Sequence, residues 1–120
     1  MSKRRQRWLI LSNMCYVAST AAAPLQPAEP PGFATCAAYY FLAARGHGVQ
    51  DYDRLYSSGE FSLNEAAKRH GKPSADAKMT AASGLMMKEM HQDWREVVIL
   101  DTKYATACMA LTGDAGFHYE

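Results

Sequence analysis

The sequence predicts a small, mainly α-helical single domain with a minor β element at its C-terminal end, an α+β fold being the alternative. The chain has 120 residues, which is enough for one hydrophobic core. Apolar residues make up 48% and charged residues 21%, which is ordinary globular usage and excludes collagen-like, coiled-coil and wholly disordered chains. Helix-capping signals accompany the longest patterned segments, whereas β-branched runs are short and lie late in the chain.

The chain divides into a basic N-terminal element over 1–23, a proline-rich connector over 24–32 and a main body over 33–120. The first element imitates a secretory leader, since four basic residues precede an apolar run at 8–11 and alanines occupy 21–23. Polar residues at positions 12, 13, 19 and 20 interrupt the apolar stretch, so an amphipathic element is the preferred interpretation. The prolines of the connector exclude a helix there.

The main body begins with a helix over about 36–45, for which Thr35 is a plausible N-cap and which Gly46 and Gly48 end. A short helix over 53–57 follows and stops at the next glycine.

A helical hairpin over 62–90 follows. Residues 62–65, Ser-Leu-Asn-Glu, have the pattern of a capping box that starts a helix over 63–70. Gly71 supplies a left-handed turn, and a longer helix begins at Pro73 or the next residue and runs to about Met90. Residues 53–87 resemble the helix-turn-helix of sigma-factor region 4, as in phage antitermination proteins of the Q type.

That resemblance implies a DNA contact. Four basic side chains would touch phosphates, and the start of the second helix would face a groove through Ser74, Ala75 and Lys78. The four basic residues are Lys68, Arg69, Lys72 and Lys78. A capped hairpin that packs for structural reasons alone is the alternative. The second helix carries no Arg, Asn or Gln in the positions that would face base edges, which disfavours sequence-specific recognition.

The C-terminal part supplies the β element. The β-branched run over 97–100 predicts a buried strand, and 104–111 is ambiguous between helix and strand. A turn over 113–116 leaves 117–120 as a second short strand.

Cys15, Cys36 and Cys108 are odd in number and widely spaced, which argues against a disulfide scaffold and against a cysteine-rich zinc site. Reduced thiols in the cytoplasm are therefore expected. The four histidines are scattered, so neither a metal nor a cofactor is predicted. Because no apolar run has membrane-spanning length, no membrane partner is predicted either.

Cys36 also supports an alternative function. It lies at a predicted helix start, where the unpaired amides would stabilise a thiolate. Gln26, Cys36 and His118 follow the order of oxyanion donor, nucleophile and base in papain-like or C39-like cysteine hydrolases, which residues 26–118 resemble. The residue types are right, but the chain offers little sequence after His118 for the Asp or Asn that orients such a base. A buried, unreactive Cys36 is the simpler interpretation.

The leading functional prediction is a non-catalytic regulator or inhibitor, either a transcription regulator or a phage-type anti-defence inhibitor, that binds a larger, nucleic-acid-handling protein machine. Basic and acidic residues number 13 and 12, so the chain is not a polyelectrolyte, but residues 1–50 carry +4 and residues 88–120 carry −3. Its contact would use the patch over 68–78 together with Arg4, Arg5 and Arg7. Tyr39, Tyr40, Tyr52 and Tyr56 resemble an aromatic stacking platform in composition, with few basic residues near them.

Overall fold

The computed structural model describes residues 31–113, which form helices joined by short turns with no strand among them. The mainly helical prediction is confirmed. In chain order the elements are α1 (Phe33–His47), α2 (Val49–His70), α3 (Lys72–Glu89), a 3₁₀ turn (Trp94–Glu96) and α4, in which a π turn (Asp101–Ala105) joins the α-helical segments Val97–Leu100 and Thr106–Thr112.

Helix α1 is the centre of the fold, and the other helices pack around it. Eight of its 15 residues are buried, and they are distributed around the helix instead of along one stripe. A helix that is apolar on all sides has to be covered on all sides. Its buried alanines, such as Ala37 and Ala44, let neighbouring helices approach closely, while Tyr39 and Tyr40 fill the larger spaces.

Helices α2 and α4 both run antiparallel to α1. Along α2, Gly59 lies against Phe41 near the middle, and Ala66 clusters with Ala34 near the start of α1. Along α4, Val97 lies against Gly46. Helix α3 closes the core through buried methionines at 86 and 90, which are well suited to irregular gaps between helices.

The predicted capping box is wrong, because α2 is one helix of 22 residues that continues through both Gly59 and Ser62. Ser62 is fully buried, and its hydroxyl donates to the carbonyl oxygen of Ser58 at 2.8 Å within the helix. Gly59 lies inside α2 and does not end a helix. A larger residue would not fit there, because its Cβ would lie 2.6 Å from the Phe41 ring. Its missing side chain serves helix packing, a use that local sequence signals do not distinguish from a stop.

The predicted strand over 97–100 is also wrong, since these residues begin α4. Val97 and Leu100 are buried, while Val98 is 61% exposed and Ile99 is 36% exposed. Burial at positions i and i+3 is typical of a helix that packs on a core. The free energy gained by this packing outweighs the preference of the β-branched side chains for strands. The ambiguous segment over 104–111 is helical as well, and the predicted strand over 117–120 lies outside the described residues.

Glycines at two helix ends were correctly predicted. Gly48 and Gly71 have φ of 87° and 84°, and they separate α1 from α2 and α2 from α3. The start of α1 differs from the prediction, because Gly32 is the N-cap and Thr35 lies inside the helix. Gly46 is also inside α1, where a Cβ would lie 2.6 Å from a methyl group of Val97.

Candidate binding surface

Three aromatic rings and a guanidinium form a surface on the outside of the α1–α2 pair, here called the aromatic surface: Phe41, Arg45, Tyr52 and Tyr56. Tyr52 and Tyr56 are one helical turn apart on α2, so their rings stack at 5.7 Å with an interplanar angle of 17°. The Phe41 ring lies 5.0 Å from that of Tyr56. The surface therefore results from i, i+4 spacing on one helix and close approach of the other.

Gly59 positions the Phe41 ring. Since the position has no Cβ, the ring lies directly on the α2 backbone, one turn from Tyr56. The packing holds Phe41 at the edge of the tyrosine stack.

The aromatic surface borders an open groove of about 370 Å³ lined by its four residues. Tyr52 is 43% exposed and Tyr56 is 42% exposed, which is high for tyrosines that already contact each other. The Arg45 guanidinium lies 5.4 Å from the centre of the Trp94 ring, an arrangement typical of a cation–π contact. A second groove, of about 400 Å³, continues past Arg45 to Val49, which is 94% exposed. The volume is that of a small-ligand site, but the grooves are shallow and open to solvent.

The basic patch predicted over 68–78 surrounds the turn between α2 and α3, and two of its four cations have acidic partners on their own helices. Lys68 donates to Glu65 at 3.0 Å, and Lys72 lies 3.5 Å from the carboxylate of Asp76. These exposed pairs contribute little to stability, but they reduce the positive field that would attract a phosphate backbone.

The other two cations of the patch differ in their surroundings. Arg69 lies over the Phe33 ring at 4.8 Å, and Lys78 is exposed farther along α3. Ala75, predicted to face a DNA groove, is instead fully buried against Ala34 and Ala66. The base-reading surface implied by the helix-turn-helix resemblance is therefore incomplete at that position.

Cys36 and Cys108 form a disulfide that joins α1 to α4, with Cα atoms 5.4 Å apart. Both residues are fully buried. The expectation of reduced, unpaired thiols is therefore wrong for these two cysteines. Spacing along the chain did not reveal the pair, because 72 residues separate the partners and only helix packing brings them together.

The disulfide also bears on the cysteine-hydrolase alternative. In this structure Cys36 has no thiol that could act as a nucleophile, and its sulfur is inaccessible to a substrate. The other two residues of that alternative, Gln26 and His118, lie outside residues 31–113, as do Arg4, Arg5 and Arg7.

A polar cluster at the π turn fastens α4 to α1. One carboxylate oxygen of Asp101 accepts from the Tyr39 hydroxyl at 2.7 Å, and the other lies 2.7 Å from Nε2 of His47. The Asp101 side chain is only 9% exposed, and burying it requires such partners. Because both carboxylate oxygens are already engaged by α1, the cluster works as an interhelical clamp. Sequence reasoning missed it, since its members lie 54 and 62 residues apart.

A second polar group joins the π turn to the end of α3. Tyr104 donates to one oxygen of Glu89 at 2.7 Å, and Lys103 donates to the other at 2.7 Å. Burial, followed by the hydrogen bond to Glu89, raises the pKa of Tyr104 above its ordinary value of 10.0. The hydrogen bond to Glu89 raises the pKa of Lys103. These shifts come from hydrogen bonds between helices, and none of Glu89, Lys103 and Tyr104 lines the two grooves beside the aromatic surface.

Within residues 31–113 no group of three or more metal-ligating side chains is assembled, and no helix is long and apolar enough to cross a membrane. The geometry there defines an all-α protein with an interhelical disulfide, hydrogen bonds between side chains of different helices and an exposed aromatic surface. No family model, no curated protein and no solved structure matches the chain.

Proposed function

We propose that this chain is a small non-catalytic binding protein, a regulator or inhibitor that docks on a larger protein through its aromatic surface. The exposure of the stacked Tyr52 and Tyr56 rings beside Arg45 carries the proposal. Tyrosine, tryptophan and arginine are the residues enriched at energetic centres of protein interfaces. All three residue types occur here, since Trp94 contacts Arg45 beside the two tyrosines.

The contacts among the aromatic rings also support a binding function. Phe41, Tyr52 and Tyr56 restrain one another through ring contacts, so a partner would lose little side-chain freedom on binding them. Tyrosine also offers a large contact area with few rotatable bonds. Truncation of such a ring at the centre of an interface costs about 2 kcal/mol or more, which is about a thirtyfold loss of affinity.

The geometry favours a protein surface over nucleic acid as the direct contact. Lys68 and Lys72 are paired with acidic side chains of their own helices, and Ala75 is buried. A nucleoprotein partner is still compatible with the proposal, in which case its protein component would contact the aromatic surface. The cysteine-hydrolase alternative is not proposed, because Cys36 is in the disulfide. The cytoplasmic location predicted from the cysteines is not part of the proposal either, since stable disulfides are rare there.

The test compares capture by three forms of the folded full chain. The wild type is immobilised beside a Tyr52→Ser/Tyr56→Ser variant and a Val98→Ser/Ile99→Ser control, which removes exposed apolar area from α4 instead. Each is exposed to extract of the source organism, with and without nuclease, and a stoichiometric retained protein is identified by mass spectrometry. It is then purified and titrated calorimetrically against each form.

We expect wild type and control to bind alike, and the double tyrosine variant to bind at least about thirtyfold more weakly. Equal binding by all three forms would refute the assignment of the aromatic surface. The absence of any stoichiometric partner would refute the binding function. Capture that nuclease abolishes would show that nucleic acid supplies the contact, and would also overturn the proposal.

A further inference from the structure

The Cys36–Cys108 disulfide has a consequence for the N-terminal segment. Disulfides form and persist in oxidising compartments, and they are rare in proteins kept among cytosolic reductants. Here the bond is fully buried and joins the central helix to the last one, so it belongs to the core of the fold. Export through an N-terminal leader is a common route by which a chain made in the cytoplasm reaches an oxidising compartment.

The first 23 residues have the order of parts that a leader needs. Four basic residues lie within positions 3–7, and no charged residue follows until Glu29. The uncharged stretch begins with Trp8-Leu9-Ile10-Leu11 and ends in small residues, Ser19-Thr20-Ala21-Ala22-Ala23. The 23 residues fall within the range of roughly 15–30 residues for secretory leaders, and two small residues separated by one position, as Ser19 and Ala21 are, are typical of the cleavage site. Ser12 and Asn13 reduce the mean apolarity of the stretch but add no charge to it.

The cysteine count provides an independent argument. With Cys15 the chain has an odd number of cysteines, which in an oxidising compartment would leave one thiol free to mispair. Removal of a leader ending at 21–23 takes Cys15 away and leaves Cys36 and Cys108, the two that are bonded to each other. The proline-rich connector then separates the cleavage site from α1, which begins at Phe33.

We propose that residues 1–21 are an export leader and that the bond between Ala21 and Ala22 is the site of a leader peptidase specific for small residues. The bond after Ala23 is the poorer substrate, because it leads into the ring nitrogen of Pro24. The cleavage is a hydrolysis in which water supplies the hydroxyl to the Ala21 carbonyl and a hydrogen to the Ala22 amine. The two thiols then lose two protons and two electrons to a thiol–disulfide oxidoreductase, whose own disulfide is reduced.

The experiment produces the untagged full chain in a Gram-negative bacterium, and fractionates cytoplasm, membrane and periplasm. Intact-mass spectrometry after alkylation without reductant reports both the N-terminus and the state of the cysteines. We expect a periplasmic protein that begins at Ala22, carries no alkyl group and accepts two after reduction.

Two variants that each add one positive charge serve as a matched pair. Leu11→Arg puts the charge into the apolar run and should lower the processed fraction by more than about tenfold, since arginine is costly in such a segment. Gln6→Arg puts it among the existing basic residues and should leave processing unchanged. Neither variant alters the residues retained after cleavage, so both leave the mature fold as it is.

Three results would overturn the proposal. Full-length cytoplasmic protein with alkylated cysteines would refute export, and full-length protein in the membrane or periplasm would refute cleavage. Equal processing of the Leu11→Arg and Gln6→Arg forms would show that the apolar run is not the signal. None of these results bears on the aromatic surface, which lies within α1 and α2, so this inference and the proposed binding function can fail separately.

Discussion

Removing the Cys36–Cys108 disulfide should destabilise the fold by about 4 kcal/mol. The cross-link spans 72 residues of sequence, and the loop-closure entropy that it removes from the unfolded chain corresponds to about 4.4 kcal/mol at that length. The loss is a large fraction of the total stability of a small domain, which is about 5–15 kcal/mol. For a domain of this size it lowers the melting temperature on the order of 20 °C.

The assay is urea unfolding followed by far-UV circular dichroism. With the unprocessed chain of residues 1–120, oxidised wild type is compared with reduced wild type and with a Cys36→Ala/Cys108→Ala variant. In that chain Cys15→Ala serves as the control that removes a sulfur outside the cross-link. We expect the reduced protein and the double variant to unfold at much lower urea, with a steeper denaturant dependence because the unfolded chain expands. A difference below about 1 kcal/mol between oxidised and reduced wild type would refute the argument that the bond limits the unfolded state.

Three further predictions concern individual contacts. Gly46→Ala should destabilise the protein by about 1–3 kcal/mol in the same urea assay, because its Cβ would lie 2.6 Å from a methyl group of Val97 and overpack the contact. Helix propensity alone predicts the opposite, a stabilisation of up to about 1 kcal/mol, and that result would contradict the close packing. Ser62→Ala should change the stability by less than about 0.5 kcal/mol, since Ser62 is interior to α2, whereas loss of about 1 kcal/mol would be expected of a helix cap. Tyr104 should ionise above pH 10.0 in an ultraviolet titration, and Glu89→Gln should lower its pKa. Folding raises the pKa of Tyr104, so the stability that its protonated hydroxyl contributes is present below pH 10.0 and is lost as the pH rises through the pKa of the folded state. If Tyr104 ionised at the same pH as exposed tyrosines, the burial of its hydroxyl would be refuted.

The candidate surface was only partly predictable. The sequence placed four tyrosines in an aromatic group, but Tyr39 and Tyr40 are buried in the core, while Tyr52 and Tyr56 are exposed. Their i, i+4 spacing was the available signal, and it required knowing that α2 runs through both positions. Phe41 joins them only because Gly59 lets the two helices approach.

Features that depend on a few adjacent residues were predictable from the sequence. The helical class, the course of α1 and the turns at Gly48 and Gly71 follow from composition, helix propensity and the conformational freedom of glycine, which act within a few positions. Tertiary structure alone decided that 97–100 is helical, that Gly59 is a contact and that Cys36 pairs with Cys108. Each of these depends on a neighbour distant in sequence. Burial against α1 outweighs local preferences of less than about 1 kcal/mol per residue, so the packed fold determines these features.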